Sequence, residues 1–235
     1  MYMQVRDVQT VADVSIVEHF KDGFVGRFGH DMDCLNWAYF YLLRIHPPVV
    51  PQKLPKLIVE MSLAEVPSRL HAGEAAWSVL WPFPFHEYRS LDVVGKRALA
   101  AVHVDQACRW ICRFNHWSEE PWLAIAKITT SPEYDWTIVG KRWHSGPGRK
   151  HKVAMSVAMH IDRFELGLVH AAVRLQQPPR TVFLRKMLGG AEVDSLLKIK
   201  PTWLTETVCE IAYEYFREKY RVDLVTGTVE SIPAR

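Results

Sequence analysis

Residues 26–37, GRFGHDMDCLNW, bring His30, Asp31, Asp33 and Cys34 within five positions. These are side chains that hold metal ions, move protons or act as nucleophiles. An adjacent His-Asp pair suits a metal-dependent phosphohydrolase, because imidazole and carboxylate are both metal donors. Such a centre also needs a further histidine and a distant aspartate on facing helices. The next histidines are His46, beside Pro47 and Pro48, and His71, in a stretch without clear period. A second reading is that Gly29-His30-Asp31 opens a helix, where the free N–H groups favour Asp31 and Asp33. The spacing favours this reading, with no metal and no cofactor. The alternative keeps His30, Asp31 and Asp33 as a hydrolase centre.

Cys108 and Cys112, with His103 and His116 close in sequence, offer a second donor set. Residues four apart share a helix face, but zinc sites draw ligands from more than one element, and His103 lies off the stripe that carries the cysteines. The thiols read as small core hydrophobes. The third candidate is KRWHSGPGRKHK, residues 141–152. Lys141, Arg142, Trp143, His144, Arg149, Lys150 and Lys152 gather around Gly146-Pro147-Gly148, with His151 among them. No Gly-Lys-Ser/Thr follows, so this is not a phosphate loop. It reads as a basic, aromatic-bearing hairpin tip suited to an acidic partner, or equally as a solvated turn whose charges guard a strand edge. Of the nine tryptophans, Trp143 is the one expected at the surface.

The elements that must position these residues follow from periodicity. Met32, Leu35, Ala38, Tyr39, Leu42 and Leu43 recur at steps of three and four, giving a helix over 28–45 that His46-Pro47-Pro48 stops. KLIVEMSL (56–63) is a strand. Residues 64–90 mix aromatics with prolines and read as irregular, with a short helix at 71–80. Ala100, Val104, Ala107, Cys108, Ile111 and Phe114 form one stripe of a helix within 92–116, with Asp105 and Arg109 paired along its wet side. Ser118 caps a shorter helix over 119–130. The period then changes to two. Four runs within 135–188 predict a four-stranded antiparallel meander, and Leu204, Val208, Ile211, Ala212, Tyr215 and Phe216 predict a closing helix over 202–219. The expected fold is α+β in one domain, residues 1–235, with an α-rich part (1–130) and a sheet plus closing helix (131–235).

A chain of 235 residues, 49% hydrophobic, has enough apolar content for a core without metal or disulfides. Its four cysteines have no Cys-x-x-Cys spacing and read as reduced. Arg6, Asp7, Asp13 and Glu18 interrupt the first twenty residues, and no apolar run is long enough to span a bilayer, so the expected location is a cytoplasm, away from membranes. Residues 1–90 hold 8 Lys/Arg against 10 Asp/Glu, and residues 91–235 hold 21 against 16. That excess is milder than a dedicated nucleic-acid binder carries, so nucleic-acid binding through the 141–152 hairpin stands as an alternative only.

Four stretches together carry a resemblance: GKRALAAVHVDQACRWICRF, EEPWLAIAKI, VGKRWHSGPGRKHKVAMSVAMHID and PTWLTETVCEIAYEYF. In layout, residues 92–220 resemble the immunity proteins of bacterial polymorphic-toxin and type VI secretion systems. The resemblance implies a cytoplasmic, non-enzymatic, antitoxin-like protein that binds and neutralises one cognate toxin. No contact residue carries over from it, because such families diverge at the binding face.

Overall fold

The computed structural model describes residues 3–4, 7–13, 16, 19–20, 23–45, 49–50, 56–72, 76–131, 136–160, 163–174, 178–187, 193–213 and 217–233. The chain divides into two compact units, Met1–Tyr134 and Asp135–Arg235.

The first unit contains β1 (Met3–Gln4), β2 (Asp7–Ala12), α1 (Phe24–Ile45), β3 (Val49–Val50), β4 (Lys56–Ser62), β5 (Ser68–Ala72), β6 (Ala76–Pro82), α2 (Phe85–Ser90), α3 (Val93–Phe114) and α4 (Glu120–Thr129). β1 and β3 pair as a short ladder, and a mixed sheet runs in the order β2-β4-β6-β5. β2, β4 and β6 are parallel and β5 runs against β6. Along β4, Leu57, Val59 and Met61 are buried; along β6, Trp77, Val79 and Trp81 are. The register sets Leu57 beside Trp77, Val59 beside Val79 and Met61 beside Trp81, so one apolar face forms. The indole of Trp81 donates to His103 Nδ1 of α3 at 3.1 Å, tying that face to the helix. At the sheet edge, Asn36 of α1 takes the Thr10 N–H at 2.7 Å and returns its own amide to the Thr10 carbonyl. That side chain satisfies both backbone groups of an edge residue that, among the described residues, no strand reaches on that side.

The second unit is nearly all β: β7 (Trp136–Val139), β8 (His144–Ser145), β9 (His151–Met159), β10 (Phe164–Ala172), β11 (Arg180–Met187), a short helix α5 (Val193–Leu196), β12 (Thr202–Trp203), β13 (Val208–Tyr213), β14 (Glu218–Asp223) and β15 (Val229–Pro233). One sheet runs β11-β10-β9-β7 with β8 also on β9, and a second runs β12-β13-β14-β15. Both are antiparallel. Val153, Met155, Val157 and Met159 face His170, Leu168, Leu166 and Phe164 on one side. The small-residue side is closed as well, since Ala154 and Ser156 are buried and Gly167 lets the strands approach there.

The expected fold class therefore needs correction in three places. Among the described residues of 202–219 there is no helix; the segment contributes to β12, β13 and β14. Its apolar residues fit a 3.6-residue stripe, but Cys209, Ile211 and Tyr213 alternate inward and Leu204 is 47% exposed. Thr205 sets the turn, its Oγ1 accepting from the N–H groups of Thr207 and Val208, and the chain then enters β13. The N-terminal part is also not simply α-rich, because the mixed sheet lies within it. Residues 64–90, read as irregular with a helix at 71–80, supply β5, β6 and α2. There the alternation of Trp77, Val79 and Trp81 was masked by the flanking prolines and aromatics. Asp105 and Arg109 do pair at 2.8 Å, but Asp105 is 6% exposed, so the pair is not on a wet side. The expected stop at His46-Pro47-Pro48, and Tyr215 and Phe216, lie outside the described residues. Among the described residues, no helix is long and apolar enough to cross a membrane.

Candidate functional site

The basic segment of the second unit is built on two glycines. β7 ends at Val139, and Gly140 follows it, its N–H donating to the Met155 carbonyl at 2.8 Å; a Cβ there would lie 2.6 Å from the Leu197 carbonyl oxygen. Lys141, Arg142 and Trp143 follow as an exposed loop before β8. Gly146 is the second anchor, buried under the Trp203 ring, where a Cβ would approach to 2.7 Å. Gly148 and Arg149 then take positive φ, 68° and 54°, to close the turn into β9. The result is an exposed loop and a tight turn, both attached to β9, rather than one hairpin tip.

Seven residues were singled out here, and the fold separates them. Lys141, Arg142, Trp143 and Arg149 are exposed. Lys150 pairs with Glu206 at 2.9 Å, and that bond holds the Glu206 carboxyl below the usual glutamate range. His144 sits opposite Val153 and Lys152 opposite Ser145, so alternation puts His144 and Lys152 on opposite sheet faces. Burial, with Arg142 and Lys200 nearby, lowers the His144 pKa. His151 shares its face with His170, their rings joined Nδ1 to Nε2 at 2.9 Å. Burial first, then His151 and Arg180, pushes His170 down to about 4.

In the first unit, α1 starts at Phe24, so His30 and Asp31 lie in its second turn rather than at its opening. Helical residues two apart diverge by more than a right angle, and Asp31 and Asp33 accordingly line different cavities. Asp31 accepts from the Tyr88 hydroxyl at 2.8 Å. Asp33 sits with Asn36, Trp37 and Lys56, and burial raises its pKa against the opposing pull of His30. The three residues of the hydrolase reading thus do not converge on one point. Among the described residues, no group of three or more His, Cys, Asp or Glu is arranged to hold a metal ion.

Cys108 and Cys112 are buried in the α3 core, and burial raises both thiols, Cys112 to about 12. His103 is engaged by Trp81, and burial lowers its pKa. Sequence reading missed Arg27, Arg89 and Lys96, which line a cavity with His30 and Asp31. The only local signal was a helix-forming stretch with a lone charge at each place. Compared with known proteins, the chain matches no family model, no curated protein and no solved structure.

Proposed function

We propose that this chain is a non-enzymatic binding protein of the immunity type, acting in the cytoplasm, which neutralises a cognate protein toxin by covering part of its surface. The observation that carries the proposal is the loop at 141–143. Trp143 is 40% exposed beside Lys141 and Arg142, on a backbone fixed by buried Gly140 and Gly146. Tryptophan and arginine are the residue types that most often dominate binding energy, and a preset backbone lowers the ordering cost of association. Arg149 adds a further cation on the adjoining turn. The matching toxin surface is acidic or neutral, since opposed potentials speed encounter and a basic cleft would be repelled.

The test is to identify a toxin-like gene beside the one that encodes this chain, co-express the two products and measure growth rescue and complex formation. Rescue and a stable complex are expected. Charge reversal at Arg142 and Arg149 slows association and flattens its salt dependence, whereas Trp143→Ala mainly speeds dissociation. Unchanged binding and protection after all three substitutions would remove this loop from the interface. Tight, salt-sensitive binding of the unmodified protein to nucleic acid, lost on charge reversal, would replace the toxin reading with a nucleic-acid one.

A further inference from the structure

We infer that the cavity of the first unit bounded by α1, α2 and α3 binds a small organic molecule that carries a phosphate group. Its volume is about 600 Å³, within the range of small-molecule sites. Four cationic or protonatable side chains from three separate elements line it: Arg27 and His30 from α1, Arg89 from α2 and Lys96 from α3. Among the described residues, one carboxylate, Asp31, lies with them. Two guanidinium groups and an ammonium drawn from three elements form the donor set that a phosphate group takes.

Ring contacts orient two of these groups. The Arg89 guanidinium lies 5.1 Å from the Phe20 ring centre and 5.4 Å from that of Phe24, and the Lys96 ammonium lies 5.4 Å from that of Tyr88. Cation–π contacts orient a cation. Guanidinium groups present paired N–H donors that match phosphate oxygens, and Lys96 adds a point charge. Asp31 is oriented by the Tyr88 hydroxyl at 2.8 Å, which suits it to accept a hydroxyl or amine from the body of the ligand. Phe24 supplies an apolar wall. At Gly26 the wall is open, because a Cβ built there meets nothing within 4 Å. The site therefore has an anion-binding side, an apolar wall and one oriented acceptor, which together exceed what inorganic phosphate alone would use. This goes beyond toxin binding and draws on none of the loop residues.

Calorimetric titration of the full chain with adenosine 5′-monophosphate and inorganic pyrophosphate, with adenosine as the uncharged control, tests the site. The expected result is saturable binding of at least one phosphate probe, weakened by salt, with no binding of adenosine. Arg27→Gln, Arg89→Gln and Lys96→Gln should each raise Kd at least about 10-fold, the scale of losing one hydrogen bond between charged partners. Where such a variant does not fold, Gly26→Glu decides: its new side chain starts in open space, leaves the lining cations intact and sets a carboxylate among them, so affinity should fall by a similar factor. No saturable binding of either phosphate probe, equal binding of adenosine, or phosphate binding unchanged in Gly26→Glu would overturn the proposal.

Discussion

Tyr88 and Asp31, 57 residues apart in sequence, are joined by a 2.8 Å hydrogen bond from the phenol to Oδ2. The bond links α2 to the second turn of α1. The Tyr88 ring is fully buried among Phe24, Phe28 and Phe83, so its hydroxyl has few other partners within reach. Burial, followed by the charge of Asp31, holds the phenol well above its ordinary pKa of 10.0. Tyr88→Phe keeps the ring and removes only the donor to a charged acceptor, which should cost about 1.5–3 kcal/mol in urea unfolding. A loss below a few tenths of a kcal/mol would mean that water replaces the phenol at Asp31.

The four thiols should be inert in the native state. Cys34, Cys108, Cys112 and Cys209 are all buried thiols outside any disulfide. Burial lifts Cys112 to about 12 and Cys209 to about 11 and raises Cys108 well above the usual thiol range, so little thiolate exists at pH 8. Reaction with a disulfide reagent at that pH should be slow in buffer, with all four thiols reporting in guanidinium. Rapid native modification of any one would show that its part of the core opens readily.

How much of this was legible in the sequence depends on whether the signal was local. α3 was legible because Ala100, Val104, Ala107, Cys108 and Ile111 repeat at helical spacing and all are buried, although Phe114, read as the end of the same stripe, is exposed; Asp92 accepts from the Gly95 N–H as an N-cap. The 202–219 segment misled because two periodicities coexist in TWLTETVCEIAY. The strand won through its ladder partners on the adjoining β14, with Ile211 beside Tyr220 and Glu210 beside Arg221, pairings that a stripe read within the segment does not register. The exposure of Trp143 was readable from its basic neighbours, whereas Gly140 and Gly146, which fix its backbone, were not, because what excludes a side chain there is Leu197 and Trp203. The cavity was invisible for a related reason. Arg27, Arg89 and Lys96 each look like an ordinary solvated charge, and only the packing of three helices brings them together.

His170 should make stability depend on pH in a window that can be named in advance. Its pKa falls from 6.5 to about 4 in the folded protein, through burial first and then the nearby charges of His151 and Arg180. Between these values the unfolded chain takes up a proton that the native state refuses, so stability rises with pH from about 4 to 6.5 and is level for this group outside that window. In His170→Gln that component of the slope should disappear from melting temperatures measured across the same range. An unchanged slope would assign it to other groups.

Glu210 should contribute in the opposite sense, by needing its charge. It lies in the middle of β13, only 7% exposed, a place where an unpaired carboxylate would be costly. Across the ladder Arg221 stands directly opposite and reaches Oε1 at 2.9 Å, while Lys219, one pair further along on the same face, contacts Oε2. The hydrogen bonds from Lys219 and then Arg221 hold the carboxyl below its ordinary value of 4.5. The folded pKa being depressed, the stabilisation is complete above 4.5 and is lost as the pH falls through the lower folded value. Glu210→Gln should therefore be less stable than the parent at pH 7, with the two unfolding curves converging as the solution is acidified. Arg221 also approaches Glu230 of β15 at 3.4 Å, so Glu210→Gln frees it to turn toward β15, and Glu230→Gln should cost more in the Glu210→Gln background than in the parent. Additive losses in that double-mutant cycle, or a Glu210→Gln deficit that persists undiminished at low pH, would show that the residue acts through its shape rather than its charge.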